Sequence, residues 1–373
     1  MSGTEPEDPE AARAGAILTI DLDAVRANYR RLLDELGGQP CAAVVKADAY
    51  GLGLGQVAPA LARAGAKVFF TAQLDEAIAL RGVLPAAEIY VLNGLAAGPA
   101  EEFLAADVHP VLNSLGELEA WRAAGAKAGR ALPAALHLDT GMSRLGLPQS
   151  EQETLFAEPE RLVGIELRLV MSHLACADTP AHPLNAEQLA GFEAARRRLP
   201  PAPASLANSS GLFLGPDYHL DLGRPGVALY GANPTPGRPN PMSQVVTLQG
   251  KILQVREIDR GRTVGYGATH RADRPSRIAT VALGYADGYL RSLSNRGCAW
   301  IGEQRVPLVG RVSMDLITLD VTAVPAAATR PGALVELIGP HGGVDDVAEA
   351  AGTIGYEILT ALGARYHRVY RGG

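Results

Sequence analysis

The sequence predicts an α/β protein: an N-terminal (β/α)8 TIM-type barrel followed by a C-terminal mostly-β domain. Three observations lead there. Short apolar, β-branched runs alternate with helical stretches, as in a parallel sheet with crossover helices. About eight such units fall in roughly 220 residues, the size of a β/α barrel rather than an open doubly wound sheet. The Pro/Gly-rich string GANPTPGRPNP at 231–241 then breaks the pattern, and strand-like runs between Gly, Pro and Asp-rich turns follow. The expected organisation is a tail at 1–14, the barrel at 15–240 and the β domain at 241–373.

Residues 1–14 are rich in Glu, Pro, Ala and Gly, with no basic or apolar region of a signal peptide, and read as a disordered tail. The stretch 22–33 places Leu22, Val25, Tyr29 and Leu32 on one helical stripe, with arginines and Asn28 opposite. Residues 42–45 form an apolar run ending at Lys46, before a Gly-rich turn and a helical pattern at 57–64. Further strands are expected at 67–71, 88–92, 108–112, 135–139, 167–172 and 205–208. Ser114 with Glu117 forms a capping-box start for the helix after Leu112. Beyond the break, strands are expected at 245–255, 278–283, 305–309, 316–321 and 334–338, closed by a helix at 347–351 or 356–362.

A chain of 373 residues, 47% hydrophobic, can bury two cores, and its net charge of −6 lacks the basic excess that nucleic-acid binding needs. No apolar run is long enough to span a bilayer, so a cytoplasmic protein without a membrane partner is expected. Cys41, Cys176 and Cys298 are odd in number and far apart. They argue against a disulfide framework or a zinc cluster and read as reduced core thiols, with no metal.

Lys46 places an amine where an apolar strand ends. A lone lysine there is usually solvated, but a desolvating strand can depress its pKa and suit it to a Schiff base with a carbonyl cofactor. The string VVKADAYG (44–51) resembles the cofactor-lysine motif of the alanine racemases. LHLDTGMSRLG, MSHLACAD, LANSSG, LGRPGVALYG, VGYGATHR, GYADGYLR, VGRVSMD and TIGYEILT resemble that family's successive motifs, in family order, over nearly the whole chain after the tail. Lys46, Arg144, His173, Ser209 and Arg224 each follow a strand candidate, which places them on one C-terminal barrel rim. Phosphate is often held there by the last loops, here containing Ser209, Ser210, Gly226 and Val227. Ser209 supplies a hydroxyl, and Gly226 lets backbone N–H groups approach an anion.

The resemblance implies a homodimeric enzyme that interconverts L-alanine and D-alanine, supplying D-alanine for cell-wall synthesis, with pyridoxal 5'-phosphate held as an aldimine of Lys46. It implies that Tyr50, His173, Asn208, Ser209, Arg224, Gly226, Val227 and Tyr356 surround the cofactor. Arg144 and the Met314 backbone would hold the substrate carboxylate, while Tyr285, Arg291 and Asp178 line the entrance. Arg224 would pair with the pyridine nitrogen. An arginine stays protonated and keeps that nitrogen unprotonated, which limits charge withdrawal and suits racemisation better than decarboxylation or transamination.

Racemisation needs an acid/base group on each face of the α-carbon. Lys46 would be one and Tyr266, from the second subunit, the other. A phenol with its ordinary pKa costs about 4 kcal/mol to ionise at neutral pH, so nearby cations must help, with His173 bridging Tyr266 and Arg224. His137 departs from the family, many members of which carry a carbamylated lysine there that braces the carboxylate-binding arginine. A histidine cannot supply the carbamate's charge, so Arg144 must be oriented by another carboxylate, a bound anion or water. The rivals are a cofactor-carrying protein, which would lack the C-terminal domain, a decarboxylase, which would carry an acid in place of Arg224, and a broad-specificity racemase, more often exported.

Overall fold

The computed structural model describes residues 9–373. The chain forms two compact units, Val25–Leu229 with Asn233–Ser243, and the N-terminal residues to Ala24 with Tyr230–Ala232 and Gln244–Gly373.

The first strand, β1 (Ala16–Asp21), belongs to the second of these units. The barrel strands are β2 (Ala43–Val44), β3 (Val68–Thr71), β4 (Glu88–Val91), β5 (His109–Leu112), β6 (Leu132–His137), β7 (Ile165–Met171) and β8 (Ala204–Ser205). They pair in parallel and in chain order. The segment 221–225 supplies the eighth side. Asp221 and Arg224 donate their N–H groups to Ala204 and Ala207 on one flank, and Ala42 and Val44 donate to Gly223 and Pro225 on the other. The sheet thus closes on itself, leaving no edge. Its strands read as apolar runs because both faces are covered, and Phe69, Phe70, Ile89, Val91, Val111, Ala135 and Leu169 are all buried. Crossover helices include Leu54–Arg63, Leu74–Val83, Leu115–Ala128 and Leu184–Arg196.

The other unit is built on β9 (Val246–Ile258), a thirteen-residue strand whose first half alternates buried and half-buried positions, as one face of a sheet requires. After it come β10 (Thr263–Val264), β11 (His270–Arg271), β12 (Ser276–Val281), β13 (Cys298–Ile301), β14 (Gln304–Pro307), β15 (Ile317–Asp320), β16 (Leu334–Ile338) and β17 (His367–Arg371). Strand β9 pairs antiparallel with β1, β12 and β16, and β1 also runs parallel to β17. Both helices expected near the C-terminus are present, Val344–Ala351 and Gly355–Ala361. Among the described residues no helix is long and apolar enough to cross a membrane.

Several expectations are corrected. The barrel does not begin at residue 15, because β1 lies between β9 and β17; the units part after Ala24 and at Ser243/Gln244, with Tyr230–Ala232 also outside the barrel unit. The expected tail lies outside the described residues up to position 8, but Pro9–Arg13 is helical. The Lys251 ammonium donates to the carbonyls of Ala11 and Ala12 at its C-terminal end, where a cation is favoured. Asn28 is buried rather than opposite the apolar stripe, because its amide exchanges hydrogen bonds with the Ser243 backbone and donates to Leu229 O. Ser114 caps its helix through Glu117 N, but the Glu117 carboxylate accepts from Asn113 and Ala96 instead of closing the box. Cys41 is a buried free thiol, whereas Cys176 and Cys298 are half-buried.

Candidate active site

Parallel strands put all their C-terminal ends on one rim, and the expected residues follow them there. Lys46 leaves β2, Arg144 lies in the loop after β6, His173 just past β7, Ser209 after β8 and Arg224 in the segment 221–225. They are close enough for their charges to interact: Lys46 feels Arg144, Glu76 and Arg224, while His173 feels Arg224, Arg144, His137 and Lys46.

Lys46 is half-buried. Burial lowers its pKa first, and the two arginines lower it further against the opposing charge of Glu76, which favours the neutral, nucleophilic amine. The next four residues, Ala47, Asp48, Ala49 and Tyr50, have φ of 53, 53, 53 and 57°. Left-handed backbone costs non-glycine residues roughly 1–2 kcal/mol each, so the surroundings must hold this turn. Asp48 Oδ1 accepts from Leu54 N, Asp48 O from Gly53 N, and Glu76 Oε1 from Ala47 N.

The turn delivers the buried Tyr50 to Gly226, where a Cβ would lie 2.2 Å from the Tyr50 hydroxyl oxygen. Gly226 does not have a left-handed φ, so closeness of approach is what requires glycine there. Ser209 Oγ, 2% exposed, accepts from Gly226 N at 2.9 Å and Ala228 N at 3.2 Å. Its own proton is donated to no acceptor among the described residues, and neither is the Val227 amide proton. Both are suited to an anion.

Arg224 is 3% exposed and rigidly held: Nε donates to Ser205 Oγ at 2.7 Å and Nη2 to Ser172 O and Leu206 O. Nη1 has no acceptor among the described residues. Burial pushes its pKa down to about 10, so it remains a cation at neutral pH. The expected His173 bridge to Arg224 is not formed. The His173 ring instead meets Asn208 Nδ2 at 3.5 Å, while Asn208 Oδ1 accepts from Gly211 N. Burial and the surrounding cations hold His173 well below the usual histidine range and therefore neutral.

His137 Nδ1 lies 2.8 Å from Asn113 Oδ1, and both Asn113 amide protons are already directed to Leu92 O and Val111 O. The Asn113 oxygen must therefore accept, which places the imidazole proton on Nδ1. Burial first, then Arg224 and Arg144, push the pKa of His137 down to about 4, so it is neutral and carries no substitute for a carbamate charge. Arg144 is exposed and forms no ion pair among the described residues. Asp139 accepts from the N–H groups of Gly141, Met142 and Ser143, shaping the loop that bears Arg144 without touching its guanidinium. Asp178 is exposed.

In the other unit, Tyr266 starts a turn between Gly265 and Gly267, both at φ 71°, and is 73% exposed. A Cβ on Gly267 would lie 3.0 Å from the Arg311 guanidinium, so this turn rests on the loop that continues to Met314. Met314 O accepts from Ala286 N and Ser313 O from Tyr285 N, which zips the Tyr285 and Met314 segments together. Tyr285, Arg291, Met314 and Tyr356 are exposed.

Comparison with known proteins decides the family. The alanine racemase N-terminal domain matches residues 20–234, and the alanine racemase C-terminal domain matches 245–370. The chain belongs to the alanine racemase family. A relative from Mesorhizobium japonicum named alanine racemase, catabolic, is 57% identical over 97% of this chain and 95% of its own length. The alanine racemase of Rhodospirillum rubrum is 55% identical over 96% and 97%. The crystal structure of the Bartonella henselae alanine racemase, with covalently bound pyridoxal phosphate, superposes with a TM-score of 0.93. It shares 43% identity, covering 96% of this chain and all of that one. Among the rim residues of this family member, Glu76, Asn113, Ser172 and Ser205 escape sequence reasoning. Nothing in the sequence around Glu76 singles it out, and the other three lie at or just past the ends of expected strands, Asn113 after 108–112, Ser172 at the end of 167–172 and Ser205 at the start of 205–208.

Proposed function

We propose that this chain is a pyridoxal-phosphate-dependent alanine racemase. It interconverts L-alanine and D-alanine in the cytoplasm as a homodimer and supplies D-alanine for cell-wall synthesis. The observation that carries the reading is a half-buried Lys46 with a depressed pKa on the barrel rim, within electrostatic reach of the buried cation Arg224.

The residues fit the cofactor. Lys46 offers the amine, Ser209 and Val227 offer unspent N–H and O–H protons to a phosphate, Gly226 and Tyr50 wall the site, and Arg224 keeps Nη1 unspent. When bound, pyridoxal phosphate withdraws electron density from the substrate α-carbon and acidifies its hydrogen. Lys46 Nζ removes or returns that proton on one face, and Tyr266 Oη from the partner subunit does so on the other. Arg224 stays charged through the cycle, fixed by Ser205 and Ser172, and thereby limits how far charge leaves the α-carbon. The neutral His173 and Asn208 order the rim around it. Arg144 and the Met314 backbone receive the substrate carboxylate, and Tyr285, Arg291 and Asp178 border its entrance. Tyr356 steadies the cofactor. Sharing between copies is supported by the exposure of Tyr266, Tyr285, Met314, Leu316 and Ile354, large apolar side chains that a second copy would cover.

Borohydride reduction of the purified protein, followed by peptide mapping and an L-to-D alanine assay, tests the reading. A pyridoxyl group on the Lys46 peptide together with alanine turnover is expected; a labelled Lys46 without turnover would reassign the substrate, and no label would end the proposal. The name of the Mesorhizobium relative favours a second use, in alanine breakdown. Whether loss of the protein creates a need for D-alanine or abolishes growth on alanine separates the two.

A further inference from the structure

One carboxylate ties the start of the left-handed turn after Lys46 to the end of β3. Glu76 Oε1 accepts from Ala47 N at 2.6 Å, and Oε2 accepts from Ala72 N at 2.8 Å and Gln73 N at 3.1 Å. Ala47 is the first residue of the turn and the neighbour of Lys46; Ala72 and Gln73 close β3 and begin the helix Leu74–Val83. A single side chain therefore spans the ends of two adjacent barrel strands. Asp48 stabilises the far end of the turn through Leu54 N and Gly53 N, and Ala49 N reaches back to Val45 O, so at the near end it is the Ala47 amide, beside Lys46, that depends on Glu76. Glu76 also supplies the negative charge facing Lys46, against Arg144 from the loop after β6 and Arg224 from the closing segment, with the neutral His173 beyond β7.

We infer that Glu76 is a positioning residue for Lys46: it clamps the start of the left-handed turn to the end of β3, aiming the amine into the rim, and offsets the two arginines around it. The inference rests on the racemase reading for its kinetic consequences but not for its structural ones. Three backbone N–H groups share this carboxylate, and an alanine would leave all three without it. A glutamine keeps one accepting oxygen but turns an NH2 group toward N–H donors, so it restores the clamp in part and removes the charge.

The experiment compares wild type, Glu76→Ala and Glu76→Gln as cofactor-loaded enzymes. Amide hydrogen exchange in the peptide containing Ala47–Tyr50 is expected to rise at least about tenfold in Glu76→Ala and less in Glu76→Gln. In turnover, Glu76→Ala lowers kcat more than it changes KM for alanine, with partial recovery in Glu76→Gln. In both variants, loss of the negative charge moves the acid limb of the kcat–pH profile to lower pH, by about half a unit or more, because protonated Lys46 is less favoured. Unchanged exchange at 47–50 would overturn the clamp whether or not the wild type racemises alanine. Faster exchange and a lowered melting temperature with unaltered kcat and pH profile would reduce Glu76 to a structural cap and overturn the positioning role. A wild type that loads the cofactor but turns over no alanine would count against the racemase reading instead, leaving the exchange result to decide the clamp.

Discussion

A methyl group on Gly226 would lie 2.2 Å from the Tyr50 hydroxyl oxygen and 2.9 Å from its ring carbon, and Tyr50 itself ends the turn that begins at Lys46. Gly226→Ala must displace either its own loop or Tyr50. It is expected to cost about 1–3 kcal/mol by overpacking and to lower cofactor retention on dialysis, measured by the pyridoxal phosphate content per subunit. His137 makes a pH-dependent prediction. Its pKa is about 4 in the folded chain against the usual 6.5, so between those values only the unfolded chain binds the proton and acid favours unfolding. Stability from this group is complete above about pH 6.5 and is lost as pH falls towards 4, by on the order of 3 kcal/mol. His137→Asn does not titrate, and its unfolding midpoint in urea is expected to fall less steeply with pH over that window. Parallel wild-type and variant curves would refute the assignment. The departure at position 137 was legible as a residue type, but its tautomer depends on Asn113, whose amide orientation is fixed by carbonyls of β5 and the end of β4.

Between elements, Arg365 joins the two segments that present Tyr285 and Met314. Its Nε donates to Asp287 at 2.9 Å and its Nη1 to Asp315 at 2.8 Å, while Asp287, 4% exposed, also accepts from Gly284 N. Gly284 must be glycine because a Cβ would meet the Ser313 and Met314 carbonyls at 2.3 and 2.4 Å. If these segments hold the substrate, Arg365→Met raises KM for alanine by roughly tenfold through loosened geometry, with kcat and the borohydride labelling of Lys46 little changed. Equal loss in kcat and label would instead mean that the whole unit has unravelled. The strands were largely readable because most barrel runs are predominantly apolar and several runs after the break alternate. Strands β10, β11, β13 and β17 were missed, and β1 was given no range: β10 and β11 have two residues each, Cys298–Ile301 is short, and His367–Arg371 is mostly polar and only half-buried, so none of these four shows a decisive period.

For the whole molecule, the proposed sharing of active sites between copies predicts complementation. Lys46→Ala and Tyr266→Phe are each expected to be nearly inactive alone. A mixed dimer pairs the intact Lys46 of one with the intact Tyr266 of the other, so mixing after subunit exchange should restore activity in one site of each heterodimer. No recovery despite demonstrated exchange would place Tyr266 and Lys46 in the same chain's site. The resemblance to the family, the barrel and the strand-end placement of the rim residues were readable from sequence alone, because apolar runs and motifs are local and each of these residues follows the strand that presents it. Which sheet holds β1, what clamps the turn after Lys46 and which nitrogen of His137 carries the proton emerge from the folded chain. These depend on contacts distant along the chain: Thr19 pairs with Thr247 and Val369, and Ala47 donates to Glu76. A six-residue apolar strand looks the same whichever sheet completes its hydrogen bonds, and a carboxylate's spacing does not reveal which distant N–H it will accept.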